Sequence, residues 1–351
     1  MKLLRIYINM PPNIGGLEKH VYSLSCEQEK LGILVTHAFN SGSKVFRRDV
    51  KVIPYVKLAK IKPAFLRDFI FYTCLMCMLA FRFKRFDVIH IHGDWSAFLF
   101  AKLLKKITRS KIVIGSCHGQ ISPRKKNVNK IAYSMLDGVY TTGLRETQYL
   151  KTLIKVRTEW FHSGVDDIFF DKINQTEKFV DVISVGNCLP VKNIDLIINI
   201  AEKLPHLSFK HIGSGPLLES LKDRVNENKI GNMKFLGGKS KFQVAEEMKR
   251  SKVFLLTSYS EGTPTALLEA KTCGCIVISS PSCQLDSILN SNSDKVINSF
   301  DAFDYLEPIC NAVSHYSSLR ANNSAEFEVF SWANVSKKIT EFTLEIYAGK
   351  C

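Results

Sequence analysis

One stretch decides the fold of this 351-residue chain: SEGTPTALLEAKTCGC, residues 260–275. Two apolar strands are predicted immediately before and after it, at residues 253–257 and 276–279. Thr263 suits the N-cap of a helix over residues 264–273, Pro264 suits its first position, and Gly274 suits its left-handed end. The stretch therefore predicts a strand, a loop, a helix and a second strand, which is a unit of a parallel α/β sheet.

Two carboxylates flank the start of this helix. Glu261 lies just outside the N-terminus and Glu269 about one and a half turns inside it. The simpler interpretation is a solvated loop residue and the polar side of an amphipathic helix. The helix is apolar around Glu269, however, so this carboxylate borders a buried face and needs hydrogen-bond partners. Since a helix N-terminus favours a phosphate, the pair predicts acceptors for sugar hydroxyls beside an anion site.

This segment resembles the signature of the family 4 retaining glycosyltransferases, the group 1 enzymes with the GT-B fold, and is typical of those that build bacterial surface polysaccharides. The resemblance implies two Rossmann-like domains facing a central cleft. It implies that Glu261 is catalytic and meets hydroxyls of the donor sugar, and that Glu269 binds the ribose of the nucleotide. It also implies donor contacts from Gly262, Thr263 and Thr265.

Strands and helices alternate along both halves of the chain. Strands are predicted at residues 3–9, 33–39, 87–92, 111–117, 138–142, 180–185, 207–212 and 233–236. This alternation predicts two α/β domains with doubly wound parallel sheets. We place a first, acceptor-side domain at residues 1–170 and a nucleotide-sugar-binding domain at 171–330. A C-terminal amphipathic helix, about 331–349, is predicted, and the resemblance implies that it packs back on the first domain.

The cysteines and the N-terminus predict a location. Ten cysteines are scattered without the spacing of a disulfide framework, and residues 2–9 read as a buried strand rather than a signal peptide. Cys74 and Cys77 form a C-x-x-C pair in an apolar stretch, where ordinary core thiols are expected. We therefore expect a cytoplasmic protein, and its charge suggests a peripheral position on the inner face of the cell membrane.

The charge is concentrated in the first half. Residues 1–170 hold 28 Lys and Arg against 12 Asp and Glu, an excess of 16, whereas residues 171–351 hold 20 against 21. Such asymmetry indicates an anionic partner: a membrane surface, a pyrophosphate-linked acceptor or a nucleic acid. Since no nucleic-acid-binding motif accompanies the charge, no nucleic acid partner is expected.

A predicted turn between a strand and a helix, residues 185–193, suits a diphosphate. Its backbone amides and the ammonium of Lys192 would neutralise charge as the bond between sugar and phosphate breaks. The turn, with Gly186 at its start, resembles a family pattern of Arg and Lys five residues apart. Lys192 matches that Lys as a catalytic residue, while Asn187 stands where Arg is common and cannot pair bidentately with phosphate. Taken alone, Lys192 would read as a solvated lysine at a helix start.

Two glycine turns complete the predicted donor site. Gly213 and Gly215 resemble the Gly-x-Gly-Pro turn that lies near the nucleotide base in the family. Gly15 and Gly16 resemble the first-domain loop at which a substrate phosphate approaches the backbone closely. Each pair, taken alone, predicts only a turn.

His118 ends a predicted strand and should project into the cleft, where the family carries a catalytic His that touches the donor sugar. An ordinary histidine at a strand end is the alternative. His90 and His92 share one strand face, but no third metal ligand is evident near them in the sequence. The resemblance implies no cofactor and no metal, only a nucleotide sugar linked to UDP or GDP as co-substrate.

The segment from Phe65 to Phe86 is dense in large apolar residues and bordered by Lys and Arg. Its uncharged part, residues 69–81, looks too short to span a membrane, which takes about 20 residues. Two interpretations stay open: a buried helix of the first domain, or an interfacial helix on an anionic membrane.

Together these features predict a retaining glycosyltransferase. It would move a hexose-type sugar from a nucleotide sugar to a glycan or a polyprenyl-pyrophosphate-linked acceptor, in the synthesis of O-antigen, capsule or another surface polysaccharide. The alternatives are a nucleotide-sugar epimerase or hydrolase of the same fold and, from another class, a basic nucleic-acid-binding protein.

Overall fold

The computed structural model describes residues 1–11, 16–56, 58, 61–82, 85–170, 177–261, 264–281, 289, 293–321 and 327–350. The chain folds into two compact units. Unit 1 comprises Met1–Gly164 and Trp332–Cys351, and unit 2 comprises Val165–Ser331. The first boundary lies a few residues before residue 170, where the sequence suggested it.

Unit 1 is built on a seven-stranded sheet. Its strands are β1 Lys2–Ile6, β2 Leu34–Phe39, β3 Val50–Lys51, β4 Val88–His92, β5 Ile112–Cys117, β6 Gly138–Thr141 and β7 Arg157–Trp160. They are all parallel and lie in the order β3-β2-β1-β4-β5-β6-β7. Its helices are α1 Gly16–Lys30, α2 Ala64–Arg82, α3 Trp95–Phe98, α4 Ala101–Thr108, α5 Lys126–Tyr133 and α6 Leu144–Leu153, with α13 Trp332–Ala348 at the C-terminus.

Unit 2 has a six-stranded parallel sheet. Its strands are β8 Val180–Val185, β9 Phe209–Ile212, β10 Met233–Phe235, β11 Ser251–Leu256, β12 Ile276–Ser279 and β13 Lys295–Val296, in the order β10-β9-β8-β11-β12-β13. Its helices are α7 Ile194–Lys203, α8 Leu218–Glu227, α9 Lys241–Lys249, α10 Thr265–Thr272, α11 Phe303–Ser314 and α12 Tyr316–Ala321. The predicted fold class, two α/β domains with parallel sheets, is confirmed.

The central strands are apolar because helices cover both faces of each sheet. In unit 1, one face packs on α2, α3 and α5, and the other packs on α1 and α13. Trp332, Ile339 and Phe342 of α13 are buried against Val35 and Ile114 of that second face. The C-terminal helix is thus an integral part of unit 1.

Each sheet has a point at which the strand order reverses, between β1 and β4 in unit 1 and between β8 and β11 in unit 2. In open parallel sheets, ligands bind beyond the carboxyl ends of the strands at such points. The fold therefore predicts one ligand-binding region in each unit, formed by the residues that follow these four strands.

The two ends of unit 2 lie together. The amide of Val165 donates a 2.7 Å hydrogen bond to the carbonyl of Phe330, and Val165 and Ser331 form a short parallel bridge. The chain therefore enters and leaves unit 2 at neighbouring points.

Helix α2 combines features of both interpretations offered for it. Phe71, Tyr72 and Leu75 are buried in the core of unit 1, whereas Phe69 is half exposed and Phe81 is 85% exposed. The window Ala64–Phe81 is long and apolar enough to cross a membrane by length and composition alone, and only 28% of it is buried inside the protein. The length expected from the sequence, which counted only the 13 uncharged residues 69–81, was therefore too short for this segment. Residues 64–68 belong to the same helix and extend it.

Candidate active site

In unit 2, the structure brings Lys192 and Glu261 together at the reversal between β8 and β11. The Lys192 ammonium lies 2.5 Å from Glu261 Oε1, and the Ser258 hydroxyl donates to the same oxygen at 2.6 Å. The sequence separates these residues widely, and the resemblance assigned them to different parts of the donor. The ion pair is thus a feature that the structure adds.

The backbone around this pair is held independently of it. The Thr257 hydroxyl donates to the carbonyls of Lys192 and Asn193 at 3.1 and 3.0 Å, and the amide of Tyr259 donates to the Val191 carbonyl at 2.8 Å. Asn193 adopts a left-handed conformation, with φ of 49°, where the turn after β8 enters α7. The two loops therefore form one framework that presents both side chains.

The predicted turn that contains Gly213 and Gly215 lies directly against the turn after β8, residues 185–193, which we call the diphosphate turn because the sequence predicts a diphosphate there. A Cβ on Gly213 would come within 1.8 Å of the Gly186 carbonyl oxygen, and a Cβ on Gly215 within 2.7 Å of the Cys188 carbonyl oxygen. The amide of Cys188 also donates to the carbonyl of Ser214 at 2.8 Å. Glycine is needed here because the two turns approach more closely than any side chain allows.

His211 on β9 contacts the backbone of the diphosphate turn. This residue was not identified from the sequence. Its Nε2 donates to the Gly186 carbonyl at 3.1 Å, and its Nδ1 accepts from the Ser184 hydroxyl at 2.7 Å. Burial lowers the pKa of His211 to about 4, so the imidazole is neutral and keeps one donor and one acceptor. A polar residue near the end of an apolar strand, just before the Gly213 turn, was the available signal.

Glu269 is buried in α10, as are its helix neighbours Leu267, Leu268 and Ala270. The helix begins at Thr265, one residue later than the predicted Pro264, which acts as the N-cap residue without a side-chain cap bond. The predicted N-cap Thr263, its neighbour Gly262 and, in unit 1, Gly15 lie outside the described residues. Asn187 is exposed on the diphosphate turn.

In unit 1, His118 follows β5 and lines a pocket of ≈ 390 Å³ at the reversal between β1 and β4. Tyr7, Arg67, His92 and Asp94 also line this pocket. The predicted Gly16 is the first residue of α1, and a Cβ there would meet nothing within 4 Å. Among the described residues of unit 1, packing therefore gives no reason for a glycine at this position.

Behind His118 lies a buried cluster of neutral imidazoles. His92 Nδ1 lies 3.2 Å from His118 Nε2 and accepts from the Ser116 hydroxyl at 2.8 Å. His20 packs edge-on against His118, and His90 stacks on His92. Burial lowers the pKa of His118 to about 3 and the pKa values of His20, His90 and His92 well below the usual range. At neutral pH, His118 therefore offers a hydrogen bond and no charge.

The fully buried Arg5 lies beside this cluster. Its guanidinium donates to the Ser25 hydroxyl and the Gln28 side-chain carbonyl, and lies 3.4 Å from His90 Nδ1. Burial lowers the pKa of Arg5 to about 10, so it stays charged, and its charge further disfavours protonation of the nearby imidazoles. Within the described ranges, no three His, Cys, Asp or Glu side chains come together as a metal site.

Comparison with known families agrees with this architecture. Residues 14–167 match the model described as Glycosyltransferase Family 4, and residues 165–305 match the model described as Glycosyl transferases group 1. The two matches together extend from residue 14 to residue 305 and include every described site residue considered above, apart from Arg5 and Tyr7.

Two relatives illustrate the sequence similarity. The chain is 25% identical over 304 residues to one component of the human phosphatidylinositol N-acetylglucosaminyltransferase, and the match covers 80% of this chain and 62% of the human protein. It is 29% identical to an O-antigen biosynthesis glycosyltransferase of Escherichia coli over 169 residues, 48% of each chain. The chain thus spans less than two thirds of the human relative.

Solved structures show the same fold. The sucrose-phosphate synthase of Thermosynechococcus elongatus superposes with a TM-score of 0.79 at 15% identity, covering 99% of both chains. The Anabaena protein HepE, solved in complex with UDP and glucose, superposes with a TM-score of 0.73 at 14% identity, covering 98% of this chain and 100% of that one. These structures show the GT-B fold alone. From the two family matches, which together extend over most of the chain, we conclude that this chain is a glycosyltransferase and belongs to glycosyltransferase family 4.

Proposed function

We propose that this enzyme transfers a hexose-type sugar, with retention, from a UDP- or GDP-linked donor to a glycan or a polyprenyl-pyrophosphate-linked acceptor in surface-polysaccharide synthesis. The observation that carries the proposal is the convergence of Lys192, Glu261 and the diphosphate turn at the reversal between β8 and β11. The O-antigen relative supports the pathway, and the HepE complex supports a nucleotide-sugar donor.

The residues suggest how the donor is held. The backbone amides of the turn after β8 and the Lys192 ammonium would bind the diphosphate, and Glu269 the ribose. The Glu261 carboxylate accepts hydrogen bonds from Lys192 and Ser258, so it is suited to accept others from sugar hydroxyls. This role places Glu261 as a hydrogen-bond acceptor rather than a nucleophile.

We infer attack on the same face of the sugar that the phosphate leaves. The bond from the anomeric carbon to the phosphate oxygen breaks, the acceptor hydroxyl oxygen bonds to that carbon, and its proton passes to the departing phosphate oxygen. Lys192 and the turn amides stabilise the charge that develops on the diphosphate. Because this chain supplies positive charge there itself, we expect transfer without an added divalent metal, and chelation by EDTA should leave the rate unchanged.

One face of unit 1 fits an anionic membrane surface. Helix α2 packs against α3 and α4, and α5 packs against α3, so these helices form one side of the unit. This side exposes Phe65, Phe69 and Phe81 of α2. It also exposes a set of basic side chains: Lys102, Lys106, Arg109, Arg124, Lys125, Lys126 and Lys130. Apolar and basic groups on one face favour binding to an anionic leaflet.

The same side leads to the pocket of unit 1. Arg67, Asp68 and Tyr72 of α2 line that pocket beside His118. An acceptor held in the membrane by its lipid would therefore reach the pocket along α2. The human relative is named for a phosphatidylinositol acceptor, which supports a lipid-linked acceptor here. We infer a cytoplasmic enzyme bound peripherally to the inner membrane face.

The test uses the full chain and a panel of nucleotide sugars. Thermal shift identifies the UDP- or GDP-sugar that stabilises the protein, and that donor is then incubated with polyprenyl-pyrophosphate-linked glycans. We expect acceptor-dependent release of the nucleotide and an anomeric configuration, read by NMR, that matches the donor. Donor consumption at the same rate without any acceptor would instead identify a hydrolase or an epimerase.

A further inference from the structure

Lys192 and Glu261, which the proposed function assigns to two different parts of one ligand, bind each other. Glu261 is only 11% exposed and Lys192 27% exposed, so water screens the pair weakly. Each of these two groups must therefore give up or share its partner when a donor binds.

Resting on the proposed function, we infer that Glu261 determines specificity for the glycosylated donor over the free nucleoside diphosphate. A diphosphate bound at Lys192 places negative charge beside the Glu261 carboxylate and competes for its cation. A sugar on the diphosphate compensates the carboxylate, because its hydroxyls donate hydrogen bonds to it. A nucleoside diphosphate has no such hydroxyls at this position, so that among the described residues only Ser258 still donates a hydrogen bond to Glu261.

The local structure allows this exchange by side-chain movement alone. The hydrogen bonds from Thr257 and Tyr259 hold the two loops together through backbone carbonyls, whatever the state of the ion pair. The Lys192 stem lies over the diphosphate turn, since a Cβ on Gly186 would touch it at 3.8 Å. The ammonium is therefore within reach of both the carboxylate and a diphosphate on that turn.

The consequence concerns the end of the reaction. Once the sugar has left, the Glu261 carboxylate no longer accepts hydrogen bonds from sugar hydroxyls, and it faces the negative charge of the remaining nucleoside diphosphate. The Lys192–Glu261 pair then re-forms in competition with the product. Glu261 thus weakens product binding without weakening donor binding to the same degree.

Isothermal titration of the full chain tests this, with inorganic pyrophosphate, UDP and GDP as probes beside the nucleotide sugar found by thermal shift. Glu261→Gln keeps an acceptor for Lys192 but removes the charge. It should bind pyrophosphate and its cognate nucleoside diphosphate about 2- to 10-fold more tightly than the wild type, while the nucleotide sugar gains nothing. Glu261→Asp, which keeps the charge, should bind pyrophosphate like the wild type.

Glu219→Gln is the matched control, because Glu219 pairs with Lys222 on the surface of α8 and its loss changes the net charge of unit 2 equally. It should leave every affinity unchanged. Melting temperatures of all variants confirm that they fold.

Equal or weaker pyrophosphate binding by Glu261→Gln would overturn the inference and leave Glu261 as a residue that positions Lys192. If that result accompanies normal acceptor-dependent transfer by the wild type, the proposed function survives. If no probe and no nucleotide sugar binds any variant, both fail.

Discussion

The two units differ in the charges that they place where the strand order reverses. Each presents residues at a reversal of its strand order, yet unit 2 pairs a cation with an anion there, whereas unit 1 buries the cation Arg5 beneath a cluster of neutral histidines. The exchangeable pair suits a ligand whose charge changes during the reaction. Neutral imidazoles suit a partner that forms hydrogen bonds with hydroxyls. The comparison indicates that the polar side chains in and beside the strands at each reversal, rather than the parallel topology that both sheets share, set the ligand chemistry.

The largest expected difference between the two units is in their stability toward acid. In unit 1 the pKa values of His20, His90, His92 and His118 are depressed in the folded state, so below the unfolded value of 6.5 the unfolded chain binds more protons. The stability that these neutral imidazoles contribute is complete above pH 6.5 and falls by about 1.4 kcal/mol per pH unit and per histidine below it. For His118, the loss continues down to about pH 3.

The measurement is simple because the three Trp residues, Trp95, Trp160 and Trp332, all lie in unit 1. We expect Trp fluorescence to report unfolding of unit 1 at a higher pH than hydrogen exchange reports unfolding of unit 2. In unit 2, His211 is the histidine whose pKa burial lowers, to about 4. Unfolding of unit 2 first would contradict the assigned neutral state of the histidine cluster.

Membrane binding should depend on unit 1 alone. Replacing Arg124, Lys126 and Lys130 by Ser should weaken binding to anionic vesicles by about 3 kcal/mol, at about 1 kcal/mol for each charge, and binding of the wild type should fall as salt rises. Vesicle co-sedimentation measures this. The matched control replaces Lys222, Lys234 and Lys239 of unit 2 by Ser and should bind like the wild type. If both triple variants co-sediment equally, the membrane surface is not where we propose it.

Removing the cation of unit 2 should affect catalysis rather than membrane binding. Lys192→Ala should lower kcat by about 100-fold or more, because charge on the diphosphate develops chiefly in the transition state. Initial rates with the identified donor check this, with Lys222→Ala on exposed α8 as the control. A variant that changes KM and leaves kcat intact would assign Lys192 to ground-state binding only.

The two glutamates should differ in kind, with smaller effects. Glu269→Ala should weaken nucleotide binding, and Glu261→Ala should mainly lower turnover, each by about 10- to 150-fold for the loss of a charged hydrogen bond. Titration with the nucleoside diphosphate and steady-state kinetics separate the two effects. Unchanged kinetics in both variants would refute the site.

The sequence predicted the central strands and the turns after β8 and β9 because apolar runs followed by glycine or polar residues mark them clearly. It missed the edge strands β3, β7 and β13, which are short or polar and bury little. It placed Lys192 and Glu261 separately, since spacing carries no information about contacts between side chains 69 positions apart. His211 escaped notice because one histidine in an apolar strand carries no motif.

The adjoining ends of unit 2 make it an inserted module. Because Val165 and Phe330 are hydrogen-bonded to each other, removing residues 165–331 leaves two ends of the chain that a short linker joins, and unit 2 itself is suited to circular permutation at this point. The unit that corresponds to unit 2 in a related enzyme is therefore transplantable here between Gly164 and Trp332. Under the proposed function, donor preference would be transferred together with unit 2, and acceptor binding would remain a property of unit 1 of the host.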